Sequence, residues 1–506
     1  MAPSPLELRL DKHSPVPLSD QIHRGIAAAI ERDVLSAGMR LPSWIDLAAQ
    51  LGVARGTVRV AYEKLAAAQL IEASRSAGTR VAHRPSTMGR AIGMGLDAHG
   101  GAAAGSGAGP GAGVGPGVDA RMAVGVSPAA IDPGAFVSMY RELTAGPGLF
   151  QPGIPSRDSL PAKLMTRLRA RALPAETSGA PLYPDPRGEL ALRREIAGYL
   201  AIARGIVCSP DQILVTAGYA AGLGLALRAL GVEGRRAWME EPGFFFTRHA
   251  LGLARLETVP VRVDEEGLEV EEGCRLAPDA ALAVVTPGQQ APLGVTMSLR
   301  RRLQLLDWAE RTGGWIVEDD YLSELQLQGR AAPALASLDT RGRVLHVGSF
   351  SKTLDPRLRL GFLVAPVALL PRLAEVAACL APPPGPAVQQ AIAGFLREGH
   401  YLRHLRRTKR LYLAQRDALI AQLQGLGLEH RAAALAVLVR TPEGASDLAL
   451  ARALFPFGIS PAPLSVWYAR PALARAGLML SVATAPVAQI ERGCERLKAV
   501  LDAHGA

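Results

Sequence analysis

At 506 residues the chain is longer than one ordinary domain, so two or more folded units are expected. With 49% hydrophobic residues it can bury a large core, and its formal net charge of +10 favours acidic partners without specifying a fold. Cys208, Cys274, Cys379 and Cys494 form no CxxC and no close Cys/His cluster, which argues for a reducing compartment and against a zinc site. The N-terminus, MAPSPLELRLDKHSPVPL, lacks the apolar core of a signal peptide, and no apolar run approaches the ~20 residues that span a bilayer. A cytoplasmic protein with no membrane partner is expected.

In chain order, PLSDQIHRGIAAAIERDVL carries apolar residues at helical spacing. Two short helices then flank the turn Leu51-Gly52-Val53, the second starting near Ala54. Arg55 and Arg59 lie four apart on one face of that second helix, with Thr57 beside them near its N-terminus. A recognition helix presents side chains to a major groove in this way. Two short strands around Ser76-Ala77-Gly78 would form a wing carrying Arg75 and Arg80. Residues 54–90 hold seven Lys/Arg against two Asp/Glu, half of the chain's formal excess. A solvated basic face would explain that charge by itself. The order helix, helix–Gly turn–helix, basic hairpin favours DNA instead. Through RLPSWIDLAAQLGVARGTVRVAYEKLAAAQLI and SAGTRV, the segment resembles the GntR-type winged helix-turn-helix. It departs from that family at Trp44-Ile45, where an arginine usually follows LPS closely.

Residues 89–118 are mostly glycine and alanine with proline and almost no charge. Such a segment cannot bury enough apolar area to offset its ordering entropy, and no strict three-residue period marks it as collagen-like. A flexible linker over 85–135 is therefore expected between a DNA-binding domain at 1–84 and a second module at 136–506. In that module apolar strands alternate with amphipathic helices, the pattern of an α/β fold. QILVTAG precedes the helix YAAGLGLALRAL, and RRAWMEEPG and ALAVVTPG each end a strand in a turn. Ser298 is placed to cap LRRRLQLLDWAERT, Gly313-Gly314 to stop it, and WIVEDD and RVLHVGSFSK follow as strands. Polar residues gather where the strands end, which is where open α/β sheets hold ligands.

Those polar residues supply what a pyridoxal 5′-phosphate site needs: an amine, a carboxylate beside the pyridine nitrogen, a donor near the ring oxygen O3′ and a phosphate cup. Lys352, in a loop between Ser351 and Thr353 after an apolar strand, is the candidate amine. Partial burial and the neighbouring cation Arg359 would both favour its neutral form. Asp319 is the candidate carboxylate, although on spacing alone Glu318 and Asp320 compete with it. Tyr321 is the candidate for O3′. The cup would combine Ser349, Ser351 and Arg359 with backbone N–H groups at Gly218, Tyr219 and Ala220. A tight strand-to-helix turn would also explain that glycine. Phe244 is either a ring-stacking residue or an ordinary core aromatic.

These segments, with LYPDPRGELALRREIAGYLAIARGI, VVTPGQQAPLGVTMSLRRRLQLLDWAERTGGWIVEDDYLSEL and VLHVGSFSKTLDPRLRLGFLVAP, resemble the fold-type I aminotransferases. The whole chain resembles the MocR-type regulators, which join a GntR-like winged helix to such a domain. The resemblance implies a multidomain architecture: a large α/β PLP-dependent aminotransferase-like (fold type I) domain, a small C-terminal α/β subdomain and the N-terminal winged helix-turn-helix. It implies an internal aldimine on Lys352, Asp319 at the pyridine nitrogen, Tyr321 at O3′, and Arg359 and Ser349 at the phosphate, with Tyr183 reaching it from the partner of a homodimer. It further implies a regulator that binds a double-stranded DNA operator and senses PLP or a small amine or amino-acid effector. Departures cluster on the substrate side. Gln289-Gln290-Ala291 stands where relatives read HQ before xPxG, and Tyr219-Ala220-Ala221 replaces a Ser/Gln pattern. Met479 occupies the place of a carboxylate-binding arginine, for which Arg470 or Arg475 are the available substitutes. A working aminotransferase with an accessory DNA-binding domain, and a scaffold that has lost its cofactor, are the rival readings.

Overall fold

The computed structural model describes residues 10–82 and 148–505, except 12–13, 15, 32–34, 36–37, 40, 69, 75–77, 179–181, 328 and 330, together with 137, 138 and 141. The segment expected as a linker, 85–135, lies outside the described residues, and so does Arg75. The chain forms two compact units, Met1–Val118 and Asp119–Ala506.

The first unit packs three helices and a hairpin around one core. Helix α1 (Leu18–Glu31) turns Ile22, Ile26 and Ile30 inward at four-residue spacing. They meet Leu47 and Ala48 of α2 (Trp44–Leu51) and Val58, Ala61, Tyr62 and Leu65 of α3 (Arg55–Ala67). Ser43 caps α2 by accepting the Asp46 N–H, and Gly52 ends it at φ 61°, a left-handed conformation that costs glycine little. That single residue makes the turn between the two helices. Strands β1 (Ile71–Ser74) and β2 (Gly78–Val81) pair antiparallel and seal the core with Ile71 and Val81.

The second unit is built on an eight-stranded mixed sheet in the order β3-β10-β9-β8-β7-β4-β5-β6. The strands are β3 (Ile213–Thr216), β4 (Arg236–Glu241), β5 (Glu257–Asp264), β6 (Gly267–Leu268), β7 (Leu282–Val285), β8 (Trp315–Asp320), β9 (Val344–Ser349) and β10 (Gly361–Val364). The neighbours from β9 to β5 are parallel, while β10 runs antiparallel to both β9 and β3. Short continuous apolar strands buried on both faces are what a helix-covered sheet requires. One face packs on Tyr219–Leu230 and Leu370–Leu380, the other on Val270–Leu276 and Leu299–Thr312. Ser298 accepts the Arg301 N–H to start Leu299–Thr312, and Gly313 at φ 71° ends it, as its sequence requires. A small four-stranded sheet, β11 (His430–Ala433), β12 (Ala436–Val439), β14 (Leu478–Ser481) and β13 (Ala462–Pro463), forms the C-terminal subdomain.

The reversal of β10 brings its first residue to the edge where the parallel strands end. Gly361 pairs with Ser349 on one side and Thr216 on the other. A Cβ there would lie 2.8 Å from the Gly348 carbonyl oxygen and 3.0 Å from Gly218 Cα, both backbone atoms that cannot step aside. Gly361→Ala should therefore destabilise the second unit by about 1–3 kcal/mol, lowering its melting temperature by a few degrees. An unchanged melting temperature would contradict this close approach.

Candidate functional site

Five strand ends and one strand start converge. Thr216 ends β3 and Gly218 follows it, Glu240 and Glu241 close β4, Thr286 follows β7, Asp319 lies near the end of β8 with Tyr321 just after the strand, and Ser349 ends β9 with Ser351 and Lys352 following. Arg359 joins them because it stands two residues before Gly361. The side-chain period of a strand separates the three acids of β8. Glu318 and Asp320 share the face of Ile316 and are consumed there. Glu318 accepts the N–H groups of Leu335 (2.6 Å) and Ala336 (2.9 Å) and pairs with His346 Nδ1 at 2.9 Å. Asp320 accepts Arg204 Nε at 2.6 Å, with both side chains buried. Asp319 points to the other face, toward Lys352 and Tyr219.

Burial pushes the Asp319 carboxyl well above the usual carboxylate range, Asp320 and Glu240 push the same way, and Lys352 offsets only part of this. Burial likewise lowers Lys352, against the pull of Asp319. The contribution expected from Arg359 is absent: burial alone depresses the amine. Lys352 is half-buried and donates to the Gly153 carbonyl. Thr353, next in the chain, holds the loop: its carbonyl faces His404 Nε2 at 2.6 Å and its hydroxyl accepts from Tyr401 at 3.0 Å.

Gly218 sits at φ 88°, a backbone conformation that favours glycine. A Cβ there would come within 4.0 Å of the Arg359 guanidinium. Arg359 itself sits at φ 46°, a conformation non-glycine residues seldom adopt, and has no carboxylate partner among the described residues. The Ser349 hydroxyl donates to Ser351 Oγ at 3.0 Å. The first-turn N–H groups of Tyr219–Leu230, including those of Tyr219 and Ala220, have no intrahelical acceptor. The Tyr219 side chain, outside the sequence reading, meets Thr247 Oγ1 at 2.8 Å and faces Asp319.

Phe244 is half-buried beside Phe246 (centroids 5.0 Å) and Trp467 (5.6 Å). Tyr321 packs against the same cluster, and burial first, then Asp319, raises its hydroxyl pKa. Gln289 donates to the Leu322 carbonyl at 2.7 Å, and Gln290 donates to the Pro242 carbonyl at 2.8 Å. Met479 is buried between Leu438 and Ala462. Tyr183 is fully exposed on this chain, next to the equally exposed Leu182. On the first unit Arg55, Arg59 and Arg80 are exposed and Thr57 is half-buried. Arg59 has only a 3.5 Å contact with Glu63, and Arg80 donates to the Gly38 carbonyl at 2.9 Å.

A family model described as aminotransferase class I and II matches residues 157–497, and one described as bacterial regulatory proteins, gntR family, matches residues 18–81. The chain is 33% identical over 471 residues to the probable rhizopine catabolism regulatory protein MocR of Rhizobium meliloti, covering 90% of this chain and 88% of that one. The chain belongs to the MocR-type family. It is also 34% identical over 395 residues to the transcriptional regulator TauR of Rhodobacter capsulatus, covering 78% of this chain and 76% of that one. With the pyridoxine biosynthesis transcriptional regulator PdxR of Corynebacterium glutamicum it shares 30% identity over 414 residues, 81% of this chain and 80% of that one. Among solved structures it is similar to LysN, the alpha-aminoadipate aminotransferase of Thermus thermophilus in complex with N-(5′-phosphopyridoxyl)-L-leucine. That match has a TM-score of 0.65 at 26% identity and covers 74% of this chain and 98% of that one. An archaeal alanine:glyoxylate aminotransferase, at 23% identity and TM-score 0.65 over 73% of this chain and 94% of that one, shares the fold.

The residues fit the cofactor of this family. A desolvated carboxyl, an amine held toward neutrality and a guanidinium without a counterion beside a helix start are the groups a phosphorylated pyridine aldehyde would engage. Glu240 is a residue the sequence reading missed, since only the fold buries it here. It accepts Thr286 N–H (3.0 Å), Thr286 Oγ1 (2.6 Å) and Gln290 Nε2 (3.2 Å). Burial pushes its carboxyl from 4.5 up to about 7, against those three donors. A raised carboxyl pKa means the folded state holds the proton more tightly, so this group lowers stability as pH rises from 4.5 to about 7. Glu240→Gln should flatten that part of the stability profile, measured by denaturant midpoints across the window. An unchanged slope would contradict the assignment.

Proposed function

We propose that this protein is a PLP-binding, DNA-binding transcriptional regulator acting in the cytoplasm as a homodimer. The observation that carries the reading is the pairing, in one chain, of an exposed basic recognition helix with an intact amine-and-carboxylate site. In this reading residues 1–84 bind the operator, 85–135 form the linker, and 136–506 bind the cofactor, dimerise and receive the effector. The regulatory names of MocR, TauR and PdxR support it.

Lys352 is the attachment amine, Asp319 pairs with the pyridine nitrogen and Tyr321 donates to O3′. Arg359, Ser349, Ser351 and the N–H groups at Gly218, Tyr219 and Ala220 hold the phosphate, while Phe244 covers the ring. Tyr183, exposed on its own subunit, completes the phosphate site of the partner. The bound cofactor supplies an electrophilic aldehyde carbon that reacts with amines. Lys352 would hold the cofactor, and a small amine or amino-acid effector would be received beside that amine. It alters DNA binding only through a difference in affinity for two states of the dimer. Arg55, Thr57, Arg59, Arg75 and Arg80 face the operator. A working aminotransferase remains a second reading, favoured by the lowered Lys352 pKa. Turnover of an amino donor and a keto acid would distinguish it.

Titrating the full-length protein against an operator obtained by binding selection tests the regulator. Arg55→Ala or Arg59→Ala should weaken binding by about 1–3 kcal/mol where the arginine reads a base, or reduce the salt slope by about one where it holds a phosphate. Lys352→Ala should still bind DNA yet lose its response to PLP and amines. Wild-type affinity and salt dependence in both arginine variants would contradict the recognition helix, and a fully retained response in Lys352→Ala would contradict the sensing site.

A further inference from the structure

The winged helix accounts for little of the chain's charge. Residues 1–84 hold 11 Lys/Arg against 8 Asp/Glu, whereas residues 136–506 hold 43 against 35, so most of the formal excess of +10 lies on the larger module. Its densest run opens the helix His400–Gly425, where Arg403, Arg406, Arg407, Lys409 and Arg410 occur in eight residues without an acid. At about 3.6 residues per turn the four arginines share one face, and all four are exposed. The opposite face is buried through Tyr401, His404, Leu405, Thr408 and Tyr412. Two of these, Tyr401 and His404, hold Thr353 beside Lys352, so the helix is fixed from within.

A second helix, Ala162–Ala172, extends this surface. Arg407 Nη2 donates to the carbonyls of Asp158 (2.7 Å) and Ser159 (3.2 Å), just before that helix. Arg171, near its end, pairs with Glu398, just before His400–Gly425. The two contacts set the helices running in opposite directions. Lys163 and Arg167 lie one turn apart, opposite the buried Met165, Leu168 and Ala172, and both are exposed. None of Lys163, Arg167, Arg406 and Arg410 has an ion pair among the described residues. Glu398 and Asp355, which feel Arg171 and Arg169 of the same helix, are already paired with Arg171 and Arg357.

Like charges three and four residues apart on a helix repel, so such a row costs stability until an anion neutralises it. At about 1.5 Å per residue, Arg403 and Arg410 are about 10 Å apart along the axis, more than one small anion spans. We propose that this face binds the phosphate backbone of double-stranded DNA, giving the operator complex a second, sequence-independent contact from the aminotransferase-like module. Exposed arginine and lysine side chains in a row suit phosphates, which fix register without reading sequence. DNA held by the winged helix is presented to a second site on the same chain at high effective concentration. That linkage favours duplex DNA over an RNA or an acidic protein segment. This inference rests on the regulator reading above.

The test titrates full-length, PLP-loaded protein with a selected operator and with a shuffled duplex of equal length, across a salt series. Arg406→Gln combined with Arg410→Gln should lower the salt slope by about two and weaken both complexes alike. Arg406→Lys combined with Arg410→Lys should keep the wild-type slope, because charge is what the phosphates read. PLP loading and melting temperature should match wild type in both variants, since the buried face of the helix is untouched. A wild type that binds no duplex would defeat the regulator reading and this inference together. A glutamine variant with the wild-type slope on DNA would overturn this face alone, and so would one that loses affinity only for RNA or polyglutamate. A lysine variant that loses the slope as the glutamine variant does would overturn it as well.

Discussion

The carboxyl of Asp319 and the amine of Lys352 share one enclosed site, and burial works against the ionised form of each. Their mutual attraction repays only part of that desolvation, as is usual for buried pairs. Both groups sit on elements anchored by buried hydrogen bonds. Glu318 and Asp320 tie down the strand on either side of Asp319 through Leu335, Ala336, His346 and Arg204. Thr353, bonded to Tyr401 and His404, holds the loop beside Lys352. A ligand bringing a protonated ring nitrogen and an electrophilic carbon relieves both strains, which is the physical basis for the cofactor reading.

The same economy extends to the anionic end of such a ligand. Arg359 in a left-handed conformation, Gly218 without a side chain, and the open first turn of Tyr219–Leu230 meet because the reversed strand β10 starts where the parallel strands stop. The winged helix, in contrast, keeps Arg55, Arg59 and Arg80 exposed, as suits side chains that exchange water for phosphate or base edges. One chain therefore carries a site for a small anionic aldehyde and a separate surface for a polyanion. Any coupling between them must come from a ligand that favours one state of the protein over another.

Much of this was legible in the sequence because it is local. Caps at Ser298 and Gly313, the turn at Gly52 and the short apolar strands depend on neighbouring residues alone. Asp319, Glu318 and Asp320 could not be separated by spacing. The strand period and the partners on β9 and at Arg204 distinguish them, and those partners are distant in sequence. Glu240, Gly153, Thr353 and the Tyr219 side chain escaped notice for the same reason: nothing near them in the chain announces a buried carboxyl or a loop anchor. The lowering of the Lys352 amine comes from burial, one of the two causes its sequence suggested. Arg470 and Arg475 stood level in the sequence as substitutes for an arginine at Met479; in the fold Arg470 is half-buried and Arg475 exposed.

The central claim is that Lys352, and no other amine, reacts at this site. Borohydride reduction of the PLP-loaded full-length protein, followed by peptide mass spectrometry, reads it directly. A single phosphopyridoxyl group on Lys352, absent from Lys352→Ala, is the predicted result. The group on any other lysine, or no labelled peptide from protein that holds PLP, would contradict it.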